Sequence, residues 1–205
     1  SIAIPSGVMT SLPSILVALL NSLLATVSQT AIAFFGIYFK LQSFIYMPAN
    51  GLIQGMRPLI SYNYGARHFD RVKKIIKVSI ISTAVILCCG TIIFMGLPEL
   101  VLSWFNATEQ LLEIGIIGLR VISPCFILST MGVVISGVFE SLGKGRQSLT
   151  ISLLRQFIIT LPLAYILLKV IGLNGIWLSF VIAEGIASVI AVILIKKELH
   201  NFKVD

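Results

Sequence analysis

Three charged side chains stand inside long apolar stretches of this sequence. Lys40, Arg120 and Glu184 each lie nine residues after the start of a predicted helix. At a rise of 1.5 Å per residue, all three come about 14 Å below the same end of their helices. In a membrane such a charge costs roughly 2.5–3.5 kcal/mol on insertion scales, so it persists when it is paired or lines a wet pathway.

Two interpretations of these charges stay open from the sequence. In the first, Glu184 carries a proton or another cation, and Lys40 or Arg120 modulates it. In the second, Glu184 forms a permanent ion pair with Lys40 or Arg120 that holds helices together. A permanent pair keeps the carboxylate ionised and unavailable as a carrier. We therefore treat the three residues as candidates for ion coupling.

A second group of candidates lies in one apolar segment and combines polar with soft side chains. Asn50 and Gln54 are uncharged polar residues that would contact a substrate or hydrogen-bond across helices. Tyr46 and Met47 would form an adaptable wall for apolar cations, or pack against lipid and the protein core. These four residues are our candidates for a substrate cleft.

The remaining charges within the apolar stretches have simpler interpretations. Glu140 precedes Lys144 by four residues, which predicts an ion pair along one helix. Arg57 is expected to reach the lipid headgroups by extending its side chain. Arg155 lies deeper, and we expect it to face protein.

The elements that position these residues follow from composition. The chain has 205 residues, of which 57% are hydrophobic and 11% charged, whereas about 25% charged residues is typical of soluble domains. No Asp, Glu, Lys or Arg occurs between Ser1 and Phe39, and one membrane-spanning helix needs only about 20 residues. We predict one all-α membrane unit over 1–205 with transmembrane helices at about 5–26, 31–62, 75–97, 111–142, 148–171 and 175–195.

The distribution of Lys and Arg predicts the orientation of these six helices. Ten of the 15 basic residues lie in the junctions after the second, fourth and sixth predicted helices. Basic junctions stay in the cytoplasm, so both termini are predicted to be cytoplasmic. We expect the membrane to be the plasma membrane of a bacterium. The net charge of +7 then reflects topology, and we predict no nucleic-acid partner.

The sequence does not have the residue groupings that enzymes and metal sites require. The two histidines, His68 and His200, are far apart, and the three cysteines all lie in apolar segments. No spacing resembles a metal site, a phosphate-binding loop or a catalytic triad. We therefore predict that the protein is not an enzyme and binds no metal or cofactor, apart from a coupling ion.

Two segments carry a resemblance to a known family. The segment 48–66 reads PANGLIQGMRPLISYNYGA, and 139–146 reads FESLGKGR. The first resembles a signature of the multidrug and toxic compound extrusion (MATE) family, in which a helix with Pro, Gly-x-x-Gln-Gly and Pro leads into an Asn-x-Gly-Ala turn. The second resembles the turn after the fourth helix of a lobe in that family.

The resemblance implies a fold and a function. Family members have twelve helices in two six-helix lobes, and they export cationic and amphipathic compounds, driven by inward Na⁺ or H⁺. This chain resembles the C-terminal lobe, so a second six-helix lobe, the lipid bilayer and such substrates are its expected partners. Some members carry an acidic cation ligand on the first helix of this lobe, whereas here that helix has no acidic residue, and Asn21, Ser22 and Thr26 are among its polar residues.

Two alternatives to a drug exporter stay open. A flippase for lipid-linked precursors belongs to the same superfamily and would have several cations in its cleft. A membrane fragment or assembly module without transport activity is the other alternative. The chain begins at Ser1 rather than Met, and we expect it to be a fragment of a longer protein.

Overall fold

The chain folds into helices joined by short turns. A computed structural model describes the backbone of residues 3–201 and the side chains of residue 11 and residues 13–200. Within this part of the chain there is no β-strand, and the helices are α1 (Ala3–Ala25), α2 (Gln29–Gly65), α3 (Phe69–Gly96), α4 (Pro98–Ser103), α5 (Glu109–Ile122), α6 (Pro124–Ser141), α7 (Gly145–Leu153), α8 (Thr160–Ile171) and α9 (Leu173–Asn201).

Several helical segments are long and apolar enough to cross a bilayer. In the described residues, five segments meet that criterion by length and composition: α2, α3, α6, the continuous run from α7 to α8, and α9. The part of α1 from Pro13 to Ala25 is a shorter apolar helix. The predicted all-α membrane fold is therefore confirmed. The bounds of the individual spans stay predictions, because a helix can continue beyond the lipid.

Helix α3 illustrates the difference between a helix and a span. It begins at Phe69, six residues before the predicted span, because charged residues can remain helical after they leave the apolar layer. Helix α2 has 37 residues and is therefore about 55 Å long, whereas the hydrocarbon layer is about 30 Å thick.

The prolines act differently in different helices. Helix α2 continues through Pro48 and Pro58, although proline commonly kinks or ends a helix. In contrast, Pro124 begins α6 directly after a break at Ser123. A π-helical turn, Leu154–Ile158, separates α7 from α8 and ends four residues before Pro162. Proline lacks an N–H and collides with the carbonyl four residues earlier, which here belongs to Ile158.

The bundle has two distinct ends. The turns at 66–68 and 142–144 and the end of α9 lie at one end, which carries most of the Lys and Arg residues and which we call the basic end. The turns at 26–28, 97–108 and 172 lie at the opposite end. Helix α9 packs against α5, α6 and α8, and α2 packs against α3, α5 and α6.

Two separate hydrophobic cores fill the bundle. The first core lies toward the opposite end and is rich in aromatic side chains, among them Phe34, Phe35, Tyr38, Phe126 and Trp177. The second core lies toward the basic end and is mainly aliphatic, with Ile53, Ile60, Val134, Val138 and Ile151 among its members.

Candidate functional site

A cavity of about 620 Å³ opens between α1, α2, α6, α9 and the π-helical turn. Its volume falls in the range of about 300–1,000 Å³ that is usual for small-molecule sites. The wall combines aromatic, aliphatic, amide and charged side chains: Pro13, Leu16, Phe39, Gln42, Ser43, Tyr46, Met47, Asn50, Val133, Arg155, Gln156, Phe180 and Glu184.

An ion pair between Arg155 and Glu184 forms one side of this cavity. Nε and Nη2 of Arg155 donate hydrogen bonds of 3.1 and 2.9 Å to Oε1 of Glu184. The second oxygen, Oε2, lies 2.9 Å from Nε but accepts no hydrogen bond from any described residue. Both side chains are 13% exposed. Oε1 therefore accepts both hydrogen bonds of the pair, whereas Oε2 is buried beside Nε without a hydrogen bond of its own among the described residues.

The π-helical turn between α7 and α8 places Arg155 in this wall. Arg155 lies within the π-helical turn, whose wider turn rotates its side chains relative to an α-helix. The Thr160 hydroxyl donates a hydrogen bond to the Arg155 carbonyl, which satisfies a backbone group that the π-turn would otherwise expose. A Cβ atom at Gly132 would lie 3.1 Å from Cδ of Arg155, so this glycine makes room for the arginine stem.

Three of the four substrate-cleft candidates line the cavity. Tyr46, Met47 and Asn50 contribute to its wall, and the Tyr46 hydroxyl lies 2.5 Å from the Ser129 hydroxyl. Gln54 does not line the cavity. Its Oε1 accepts a hydrogen bond of 3.3 Å from Arg57, one turn nearer the basic end.

The structure does not bring the other two ion-coupling candidates to Glu184. Lys40 and Arg120 both have exposed side chains, and neither lines the cavity. The expected pairing of Glu184 with Lys40 or Arg120 is therefore wrong, since Arg155 is its partner. Counting residues along a helix fixes the depth of a side chain, but it does not fix the direction in which the side chain points.

The predicted ion pair within one helix is also replaced by pairs between helices. Nη2 of Arg57 lies 2.6 Å from Oε2 of Glu140, so Arg57 binds a carboxylate rather than reaching for headgroups. Ser148 donates a hydrogen bond of 3.0 Å to the same carboxylate. Lys144 turns instead to Glu198, at 2.6 Å. These contacts join α2 to α6, and the 142–144 turn to α9, at the basic end.

Sequence reasoning also missed several polar residues of the cavity. Gln42 and Ser43 on α2 and Gln156 on the π-helical turn line its wall, and Oε1 of Gln156 is buried without a hydrogen-bond partner among the described residues. Gln42 and Ser43 precede Tyr46 by four and three residues. That spacing puts all three on one helix face and was the available signal.

A family model described as MatE matches residues 5–166 of this chain. The chain belongs to the MATE family. Among its relatives, the multidrug export protein MepA of Staphylococcus haemolyticus is 31% identical over 205 residues, which are the whole of this chain and 45% of that protein. MepA of Staphylococcus aureus strain MSSA476 is 30% identical over 204 residues, with the same coverage of both chains.

Solved structures show that the fold is that of MATE transporters. An outward-facing structure of a multidrug resistance MATE family transporter of the MOP superfamily superposes with a TM-score of 0.93, at 20% identity, over 98% of this chain and 46% of that one. A MOP superfamily transporter from Pyrococcus furiosus superposes with a TM-score of 0.91 at 21% identity, over 98% of this chain and 46% of that one. Its description notes a reverse polarity of the binding pocket.

These comparisons confirm the resemblance found in segments 48–66 and 139–146. MATE proteins are multi-pass membrane transporters rather than enzymes. The chain spans about half the length of the curated relatives it matches, 45% in each case. This half-length chain therefore corresponds to one lobe of the family's fold.

Proposed function

We propose that this chain is one lobe of a cation-coupled multidrug efflux antiporter in a bacterial plasma membrane, with both termini in the cytoplasm. In this proposal the cavity binds part of an amphipathic, cationic compound, and Glu184 exchanges the coupling ion, H⁺ or Na⁺. A second six-helix lobe completes the pathway. The family assignment and the distribution of basic residues support this function.

The observation that carries the proposal is the asymmetry of the Arg155–Glu184 pair. Oε1 accepts both hydrogen bonds from the arginine, whereas Oε2 has no hydrogen bond and belongs to a side chain of the cavity wall. In the proposal, a proton or Na⁺ binds at this buried oxygen, which lies 2.9 Å from Nε of Arg155, and competes with the arginine for the carboxylate. Once the carboxylate is neutralised, its attraction for Arg155 weakens, and this gives the lobe two states that differ in ion occupancy.

The polar groups of the wall favour a substrate that donates hydrogen bonds. Gln156 Oε1 and Glu184 Oε2 are two acceptors without hydrogen-bond partners among the described residues, and unpaired buried acceptors are costly. An ammonium or amidinium group would satisfy them. The rings of Phe39, Tyr46 and Phe180 would bind the apolar body of the substrate and stabilise its charge.

The charge of the wall favours the exporter over the lipid-precursor flippase. A cleft for an anionic pyrophosphate headgroup would have several cations. Arg155 is the one cation among the residues that line this cavity, and Glu184 balances its charge. This balance supports a cationic or zwitterionic substrate.

The exposed face of α2 supports the presence of a second lobe. Lys40, Asn50 and Gln54 are exposed on this helix, and an added Cβ at Gly51 or Gly55 would meet nothing within 4 Å. Lipid is a poor neighbour for amides and a lysine at these positions. We propose that this face lines the pathway between the two lobes.

Glu184→Gln tests the proposed coupling role. In the full transporter, we expect gradient-driven efflux of a fluorescent cationic dye to fall at least about tenfold, because glutamine cannot exchange a proton or balance a cation. The amount of protein in the membrane should stay within about twofold of wild type. The matched control is Glu113→Gln, which removes an exposed carboxylate near the opposite end.

Two results would contradict the coupling role. If Glu184→Gln left both efflux and expression normal, the residue would have no part in coupling or structure. If expression collapsed while the remaining protein transported at the normal rate per molecule, Glu184 would be only the structural partner of Arg155. In that case Arg155→Gln/Glu184→Gln should restore expression, since it leaves no unpaired charge.

A further inference from the structure

A cluster of cations surrounds the first two turns of α3 at the basic end of the bundle. Arg67, Arg71, Lys74 and Lys77 have exposed side chains, and Lys73 is partly exposed. The one carboxylate among them is Asp70, whose Oδ1 lies 3.6 Å from Nζ of Lys73. Five cations against one carboxylate leave a net charge of +4.

The nearby carboxylates do not neutralise this cluster. Among the described residues at the basic end, Glu140 and Glu198 are engaged by Arg57 and Lys144. Helices α2 and α6 pack against α3 from its other side. The exposed face of α3 therefore presents positive charge that the rest of the described chain leaves uncompensated.

The same face of α3 continues as an apolar stripe. Beyond Lys74, residues at intervals of three and four are exposed, as on the outer face of a helix: Val78, Ile81, Val85, Cys89 and Ile92. The segment from residue 78 to residue 97 has 20 residues, which is about 30 Å of helix and matches the thickness of the hydrocarbon layer. Arg71, Lys74 and Lys77 then lie at headgroup depth.

From this arrangement we infer that the exposed face of α3 is a binding site for an anionic phospholipid. Arg71, Lys74 and Lys77 bind the headgroup phosphate, and the stripe from Val78 to Ile92 carries an acyl chain. Charge complementarity favours this occupant, because juxtamembrane clusters of four or more cations attract anionic lipids. Because the apolar stripe continues the same face, the ligand that fits it has both a charged headgroup and an apolar chain.

The test is lipid binding measured by native mass spectrometry of the protein in detergent micelles. Dioleoyl phosphatidylglycerol is the probe, and dioleoyl phosphatidylcholine is the neutral comparison. We expect phosphatidylglycerol to bind more tightly. In Arg71→Gln/Lys74→Gln/Lys77→Gln its affinity should fall about a hundredfold, since each cation near an anionic surface contributes on the order of fivefold.

The matched control removes three exposed cations elsewhere at the basic end. Arg146→Gln/Lys196→Gln/Lys197→Gln has the same loss of charge at positions that are also exposed, and we expect it to bind phosphatidylglycerol within about threefold of wild type. Equal losses in the two triple variants would overturn the site, because net charge alone would then govern binding. Inorganic phosphate that displaced the lipid at equal concentration would also overturn it, because the acyl chain would contribute nothing.

Discussion

Replacing Gly118 with alanine should destabilise the first core, because α2 and α5 meet there through a ring and two glycines. A Cβ at Gly118 would lie 2.5 Å from Cε1 of Phe34, and one at Gly115 would lie 3.1 Å from Cδ2 of the same ring. Carbon atoms in contact normally stand about 3.5–4.0 Å apart. The new methyl group therefore overlaps the Phe34 ring by roughly 1 Å.

The ring has little room to move away from this methyl group. Phe34 is fully buried, and it meets Trp177 edge-on at 5.0 Å between ring centroids. Overpacking a core costs about 1–3 kcal/mol, and the gain in helix propensity from Gly to Ala offsets up to about 1 kcal/mol. We expect a net loss of about 1–2 kcal/mol, which lowers the unfolding midpoint by about 2–8 °C for a chain of this size.

Thermal unfolding in detergent micelles, followed by tryptophan fluorescence, measures this loss. The matched control is Gly185→Ala, where the new Cβ would meet its nearest neighbour, Leu128, at an ordinary 3.9 Å. That variant should be as stable as wild type or slightly more stable. If Gly118→Ala behaved like Gly185→Ala, the close packing of Phe34 against α5 would be refuted. In a Phe34→Leu background, Gly118→Ala should cost much less.

Two further predictions concern topology and transport. In a background without the native cysteines, single cysteines at His68, Lys144 and His200 should be labelled only from the cytoplasm, and those at Thr108 and Asn174 only from outside. External labelling at Lys144 would contradict the six-span topology. Residues 1–205 alone, reconstituted in liposomes with a proton or sodium gradient, should not move a cationic dye, because alternating access needs two bundles. Gradient-dependent movement would instead indicate a self-sufficient dimer.

The helices could be predicted from the sequence because apolarity and length determine them directly. The stretch without charge before Lys40 required more than one helix, and α1 and the first eleven residues of α2 occupy it. The effects of proline could not be predicted in the same way. Pro48 and Pro124 look alike in sequence, yet α2 continues through the first while the second follows a break.

The ion pair could be predicted only in part. The sequence identified Glu184 as a charge that needs a partner, and it indicated that Arg155 faces protein. The sequence did not indicate that Arg155 and Glu184 pair, because a residue count gives depth only for a regular helix perpendicular to the membrane. The π-helical turn at Leu154–Ile158 changes the direction of Arg155, and the long arginine side chain spans the remaining distance.

Side-chain hydroxyl groups support the irregular backbone of the bundle. Non-helical backbone is stable in a membrane only where other groups satisfy its hydrogen bonds. Here the Thr160 hydroxyl donates a hydrogen bond to the Arg155 carbonyl, and the Thr91 hydroxyl donates one of 3.2 Å to the Ser123 carbonyl. A bend in the π-helical turn would change the shape of the cavity, because Arg155 and Gln156 belong both to this turn and to the cavity wall. Because Arg155 belongs to the π-helical turn, the charge state of Glu184 acts directly on the segment that would bend.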